Sequence, residues 1–137
     1  MRAREVARGP GGRVLVMDTI TRATAEDAGA YVVSGSHGGE TAASFAVGKG
    51  LAGAFFNDAG VGKEGAGISG LALLERHRIA AATVAHETAR IGDAMDTWEN
   101  GVISHVNTPA RALGLEIGQQ LRPRLLRLVG GDRGGLV

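Results

Sequence analysis

The sequence predicts a single α/β domain of three layers, with a mostly parallel, Rossmann-like sheet of about five strands and helices on both faces. Three observations predict it. Four short runs, 30–34, 53–57, 79–85 and 102–106, are nearly continuous in apolar character rather than alternating, as strands covered on both faces are. Segments of helical spacing fall between them, which gives a βαβ alternation. The 137 residues, 44% of them apolar, suffice for one packed core and not for two.

In chain order, residues 1–12 are rich in Gly and Arg, lack periodicity and read as a flexible tail. Residues 13–19 read as a strand, but only about ten residues separate them from Ala30, short for a helical crossover, so an edge position and an antiparallel direction are open to it. Helical spacing follows at 40–49 (Ala42, Phe45, Ala46), 68–78 (Ile68, Leu71, Leu74) and 91–99 (Ile91, Met95, Trp98). The last helix is the clearest: Asn107 or Thr108 caps it, Pro109 suits its first turn, and Ala110, Leu113, Ile117 and Leu121 form one stripe. Pro123 is expected to kink or stop it. Residues 130–137 read as a second flexible tail, leaving 13–129 as the domain.

Composition removes several classes of function. There is no cysteine, hence no disulfide, thiolate metal site or cysteine nucleophile. A net charge of +1 and 4% aromatic residues argue against nucleic acid as a partner. No apolar run approaches the roughly 18 residues of a membrane span, and the Arg-rich start leads into Gly-Pro-Gly-Gly rather than an apolar signal core. A soluble, cytoplasmic protein without membrane contact is the expectation.

In an open parallel sheet, ligands bind beyond the carboxyl ends of the strands. The polar residues cluster there: Ser34 to Glu40 after one strand, Asn57 to Lys63 after the next, His86 to Arg90 after the third, and Ser104 to Asn107 in and after the last. The Ser36-His37-Gly38-Gly39 turn opens a helix, so its amides suit a carboxylate, phosphate or oxyanion, and His37 is the first choice for proton transfer. Asn57-Asp58-Ala59-Gly60-Val61-Gly62-Lys63 has the look of a phosphate cradle without being a Walker A motif, since Asn57 stands for its first Gly and Glu64 for its Ser or Thr. Asp58 accepts or orients a proton in this reading. Lys63 either holds an anion or is merely solvated. Of His86-Glu87, His86 is the one expected in the cleft. Arg90 clamps an anion or pairs with Glu87 or Asp93. His105 is either a ligand, with Asn107 on the same strand face, or a satisfied core histidine.

The order of these motifs resembles that of the ribose-5-phosphate isomerase B and galactose-6-phosphate isomerase family over about residues 33–120. Gly35-Ser36-His37-Gly38-Gly39 resembles the family's Gly-Ser-Asp-His-Ala-Gly turn without its aspartate. Asn57-Asp58-Ala59-Gly60-Val61-Gly62 resembles Cys-Gly-Thr-Gly-Ile-Gly, with Asn57 where the cysteine base would lie. Ile79-Ala80-Ala81-Ala82 and His86-Glu87-Thr88-Ala89-Arg90 resemble the family's third segment. The resemblance implies a homodimer whose site borrows residues from the neighbouring subunit.

The expectation is therefore a small acid–base enzyme of isomerase, lyase or hydrolase type acting on a small polar, anionic metabolite. His37, Asp58 and His86 carry the chemistry; Ser36, Gly38, Gly39, Asn57, Gly60, Gly62, Lys63, Arg90, His105 and Asn107 contact substrate. The amides of Gly38, Gly39, Gly60 and Gly62 hold the anion. No cofactor is expected, and no His-x-x-x-His pair supports a metal on the histidines. Self-association is expected, with Leu113, Ile117, Leu121, Leu125, Leu126 and Leu128 as apolar surface for it or as core. The alternatives are a metabolite- or nucleotide-binding regulatory subunit, and a scaffold whose strand-end polar groups satisfy one another.

Overall fold

The computed structural model describes residues 3–130. Six strands form one sheet in chain order: β1 (Arg4–Gly9), β2 (Gly12–Met17), β3 (Ala30–His37), β4 (Gly53–Asn57), β5 (Ala80–Val84) and β6 (Ile103–Val106). The helices are α1 (Glu40–Ser44), α2 (Gly70–Arg76), α3 (Ala94–Asn100), α4 (Thr108–Ala112) and α5 (Leu121–Val129). β2 to β5 are mutually parallel, and β1 and β6 run antiparallel at the two edges.

Continuous apolar strands make sense because both faces of the sheet are covered. Val14, Val16, Val33, Phe55 and Val84 pack with Ala94, Trp98, Leu121 and Leu125 of α3 and α5. On the other face Leu15, Met17, Val32, Phe56 and Ala81 pack with Ala43, Leu71 and Leu74 of α1 and α2. Consecutive parallel strands joined by crossovers of one hand put every connection on one face. The connections from β2 to β5 follow that rule, since Ile20, α1 and α2 share a cluster. The connection after β5 breaks it, leading to α3 on the opposite face. The polypeptide therefore diverges to opposite faces after β4 and after β5, the arrangement beside which open α/β sheets bind their ligands.

Several expectations need correction. Six strands replace about five because residues 4–9, read as part of a tail, form β1 through the two-residue turn Pro10-Gly11. That turn is held under the end of α5, where Gly11 N–H donates to Val129 O at 3.0 Å. β2 lies inside the sheet and pairs in parallel with β3; two 3-10 turns, Ile20–Arg22 and Ala25–Asp27, suffice to span the connection. β6 is antiparallel to β5, not a further parallel strand. The single last helix is two, because Gly114 and Gly118 take positive φ (93° and 94°) between them. Pro123 lies in the first turn of α5, where a missing N–H costs nothing, so it begins a helix rather than ending one.

Leu121 and Leu125 are buried in the core, and Leu126 and Leu128 pack against it. They are not a free surface for self-association, whereas Leu113 and Ile117 are exposed. Residues 131–137 of the expected C-terminal tail lie outside the described residues. Among the described residues, no helix is long and apolar enough to cross a membrane.

Candidate functional site

The loops that leave β4 and β5 meet at the carboxyl ends of these strands. Asn57 ends β4 fully buried on the α3 side. Its Nδ2 donates to Ala89 O (2.8 Å) and its Oδ1 accepts from Ala59 N–H (2.7 Å), which ties the loop after β5 to the end of β4. Both ends of the amide are committed, so Asn57 is a tether rather than a substrate contact.

Asp58, 5% exposed, comes next. Its Oδ1 accepts from Gly60 N–H (2.8 Å) and from His86 N–H (3.0 Å), and lies 3.5 Å from His86 Nδ1. Burial pushes the carboxyl up, but the Gly60 and His86 amides, the Ser104 hydroxyl and the His86 ring together outweigh it and hold Asp58 below its ordinary value. Asp58 is an anion fixed against an imidazole whose ring is 54% exposed. With Nδ1 facing the carboxylate, the proton of the neutral ring belongs on Nδ1 and leaves Nε2 as the free base.

The loop that carries Asp58 is wound tightly. Ala59, Gly60, Val61 and Gly62 all have positive φ (53°, 75°, 70° and 73°), a run that costs Ala59 and the β-branched Val61 steric strain. The winding consumes its own amides: Val61 N–H donates to Asp58 O and Gly62 N–H to Gly60 O. Across the rim, Gly38 N–H donates to Asn57 O (2.9 Å) and Gly39 N–H to His37 Nδ1 (3.1 Å). The four glycine amides expected to hold an anion are thus already engaged, and α1, with five residues, adds no site of its own.

His37 is exposed on the same rim, and its proton in the neutral ring belongs on Nε2, since Nδ1 accepts from Gly39. It pairs with Asn57, which pairs with Val84, so β3 stands two strand spacings from β5, about 10 Å. No hydrogen bond or ion pair joins His37 to Asp58 or His86 among the described residues. Ser36 is structural, its Oγ accepting from Ile20 N–H at 3.0 Å. Lys63 is exposed in the 3-10 turn Lys63–Gly65, and its side chain bonds to nothing among the described residues.

Antiparallel β6 sends its end to the opposite edge. Asn107 there accepts from Ala81 and Ala110 N–H and donates to Ile79 O and Leu71 O, which caps α4 and excludes it from the site. His105 faces Thr83 within the sheet, its Nδ1 3.2 Å from Thr83 Oγ1 and 3.1 Å from Ser104 Oγ. It is a satisfied histidine of the β5–β6 seam. Ser104, absent from the expected site residues, bonds to Thr83 and His105, and its hydroxyl helps to lower the Asp58 carboxyl.

Beside His86 lies a hollow of about 410 Å³ lined by His86, Glu87, Thr88, Arg90, Asp96 and Asn100. Arg90 N–H donates to Asp96 Oδ2 (2.9 Å) and Asn100 Nδ2 to Asp96 Oδ1 (2.8 Å). The Asn100 amide and the Arg90 N–H hold the Asp96 carboxyl below its ordinary value. Asp96 and Asn100 lie one turn apart on α3; that i, i+4 spacing is the signal in the sequence by which they could be found. Among the described residues, no three His, Asp or Glu side chains converge to hold a metal. No protein-family model, curated protein or solved structure matches this chain.

Proposed function

We propose that this chain is a small acid–base enzyme acting on a small polar, anionic metabolite by isomerisation, elimination or hydrolysis. His86 is its proton-transferring group and Asp58 its partner. The observation that carries the reading is the 3.5 Å approach of the buried Asp58 Oδ1 to His86 Nδ1 at the mouth of a polar hollow. His86 Nε2 takes the proton, and Asp58 stabilises the imidazolium that results. Arg90, on the wall of the hollow, supplies the cation for the substrate's anionic group. His37, two strand spacings from β5 and outside the lining of this hollow, takes no part in the step. The divergence of the chain after β4 and β5 supports a Rossmann-like use of the sheet, with the ligand outside the carboxyl ends.

A second reading, binding without conversion, draws support from the side chains of Arg90 and Glu87, which make no hydrogen bond among the described residues, beside rim amides that are already engaged. One experiment separates the two. Pools of small carboxylate, amino acid and sugar phosphate metabolites are incubated with the protein in D2O and followed by proton NMR. The enzyme reading expects a signal lost by deuterium exchange or by conversion, and its abolition in His86→Gln. Exchange or conversion retained in that variant removes His86 as the proton-transferring group, and binding with neither exchange nor conversion favours the second reading.

A further inference from the structure

Residues 85–90 form a rigid rim. His86 N–H is held by Asp58, Thr88 Oγ1 donates to Ala85 O (2.7 Å) and accepts from Val102 N–H (3.1 Å), Ala89 O is held by Asn57, and Arg90 N–H by Asp96. Backbone pinned this closely presents its side chains in fixed places. Yet the side chains of Glu87 and Arg90 make no hydrogen bond or ion pair among the described residues. Both line the hollow. The Arg90 guanidinium acts on Asp96 through its charge alone, and with its N–H groups uncommitted beside a cavity it is a fork for a carboxylate or phosphate.

The same lining opposes a plain anion. It carries one guanidinium against two carboxylates, Glu87 and the anionic Asp96, with the imidazole of His86 between. An anion seated on Arg90 would meet repulsion from both carboxylates. A molecule that also carries a cationic or N–H-donating nitrogen turns that repulsion into attraction.

We infer that the hollow takes a small amphoteric metabolite, one bearing a carboxylate and a neighbouring ammonium or amide N–H. Arg90 takes the carboxylate, and Glu87 and Asp96 take the nitrogen. The substrate class deepens the proposed function and rests on it for the orientation of the reacting atom toward His86 Nε2; the binding itself does not depend on turnover.

Three probes that share a two-carbon chain separate the two ends of the ligand: L-alanine with both groups, propionate with the carboxylate alone, and ethylamine with the amine alone. Each is titrated into the 15N-labelled full chain while the amide signals of residues 86–90 and the Asn100 side chain are followed. L-alanine is expected to bind about tenfold or more tighter than either fragment, as charge-assisted hydrogen bonds at both ends require. Arg90→Gln should reduce L-alanine to the level of ethylamine, and Glu87→Gln should bring it toward propionate. Propionate binding as tightly as L-alanine, ethylamine doing so, or no shift from any probe overturns the proposal. His86→Gln keeps the two readings apart. L-alanine binding retained in that variant supports this inference whatever happens to turnover, and exchange confined to metabolites without nitrogen contradicts this inference while leaving the acid–base function intact.

Discussion

Asp58 holds His86 at two points, its Oδ1 accepting the backbone N–H at 3.0 Å and standing 3.5 Å from the ring Nδ1. Nδ1 is thereby the ring nitrogen turned to the carboxylate, while the half-exposed ring contributes little to the core. His86→Gln should therefore lower turnover by about 10²- to 10⁴-fold, the usual worth of a positioned general base. The melting temperature should stay close to that of the parent, since the ring is 54% exposed. Thermal denaturation followed by circular dichroism checks the second half.

The Asp58 carboxyl is held below its ordinary value, so folding favours its anion. That contribution is complete above the unfolded carboxyl's value, about 4, and is lost as pH falls through the lower native value. Asp58→Asn keeps an acceptor for Gly60 and His86 but loses the charge. Denaturant melts should show it about 1–2 kcal/mol less stable than the parent at neutral pH, with the gap closing in acid. A gap that does not change with pH would mean the charge is not what Asp58 contributes.

Much of this architecture was legible because β3, β4 and β5 are covered on both faces, and buried strands read as unbroken apolar runs. β1 was not legible. Arg4, Glu5 and Arg8 belong to an edge strand whose charges keep it from pairing further, and edge charges look like those of a tail. The direction of β6 was hidden too, because four residues carry no directional signature and the segment before them is long enough for a crossover. Asn57 and Asn107 misled for one reason: an amide that donates and accepts suits a ligand and a loop tether equally. Asp58 and His86 were legible only as alternative counterparts of His37 at neighbouring strand tips. Their approach to each other, apart from His37, was not, because it depends on which face each connection takes.

Val61 sits at φ 70° in the loop beside Asp58, a conformation that costs a β-branched residue about 1–2 kcal/mol. Glycine removes that strain and loses about 0.5–1 kcal/mol in backbone entropy. Val61→Gly should raise stability slightly, by about 0.5–1 kcal/mol, in urea melts. A loss of similar size would show that the Val61 side chain packs more than it strains.

Asn107 joins four backbone groups at the edge opposite Asp58, and removing its amide leaves several of them buried without partners. Asn107→Ala should destabilise the fold by about 2–4 kcal/mol. Activity per folded molecule should be unchanged, which a comparison of specific activity with the folded fraction measures.

The ring nitrogen that Asp58 faces decides which one is left to act as the base, and long-range 1H–15N correlation spectra of the histidine side chains read it directly. Neutral His86 should be protonated at Nδ1, and that preference should disappear in Asp58→Ala. A ring protonated at Nε2 in the parent, or one indifferent to the loss of Asp58, would contradict the assignment of His86 Nε2 as the base.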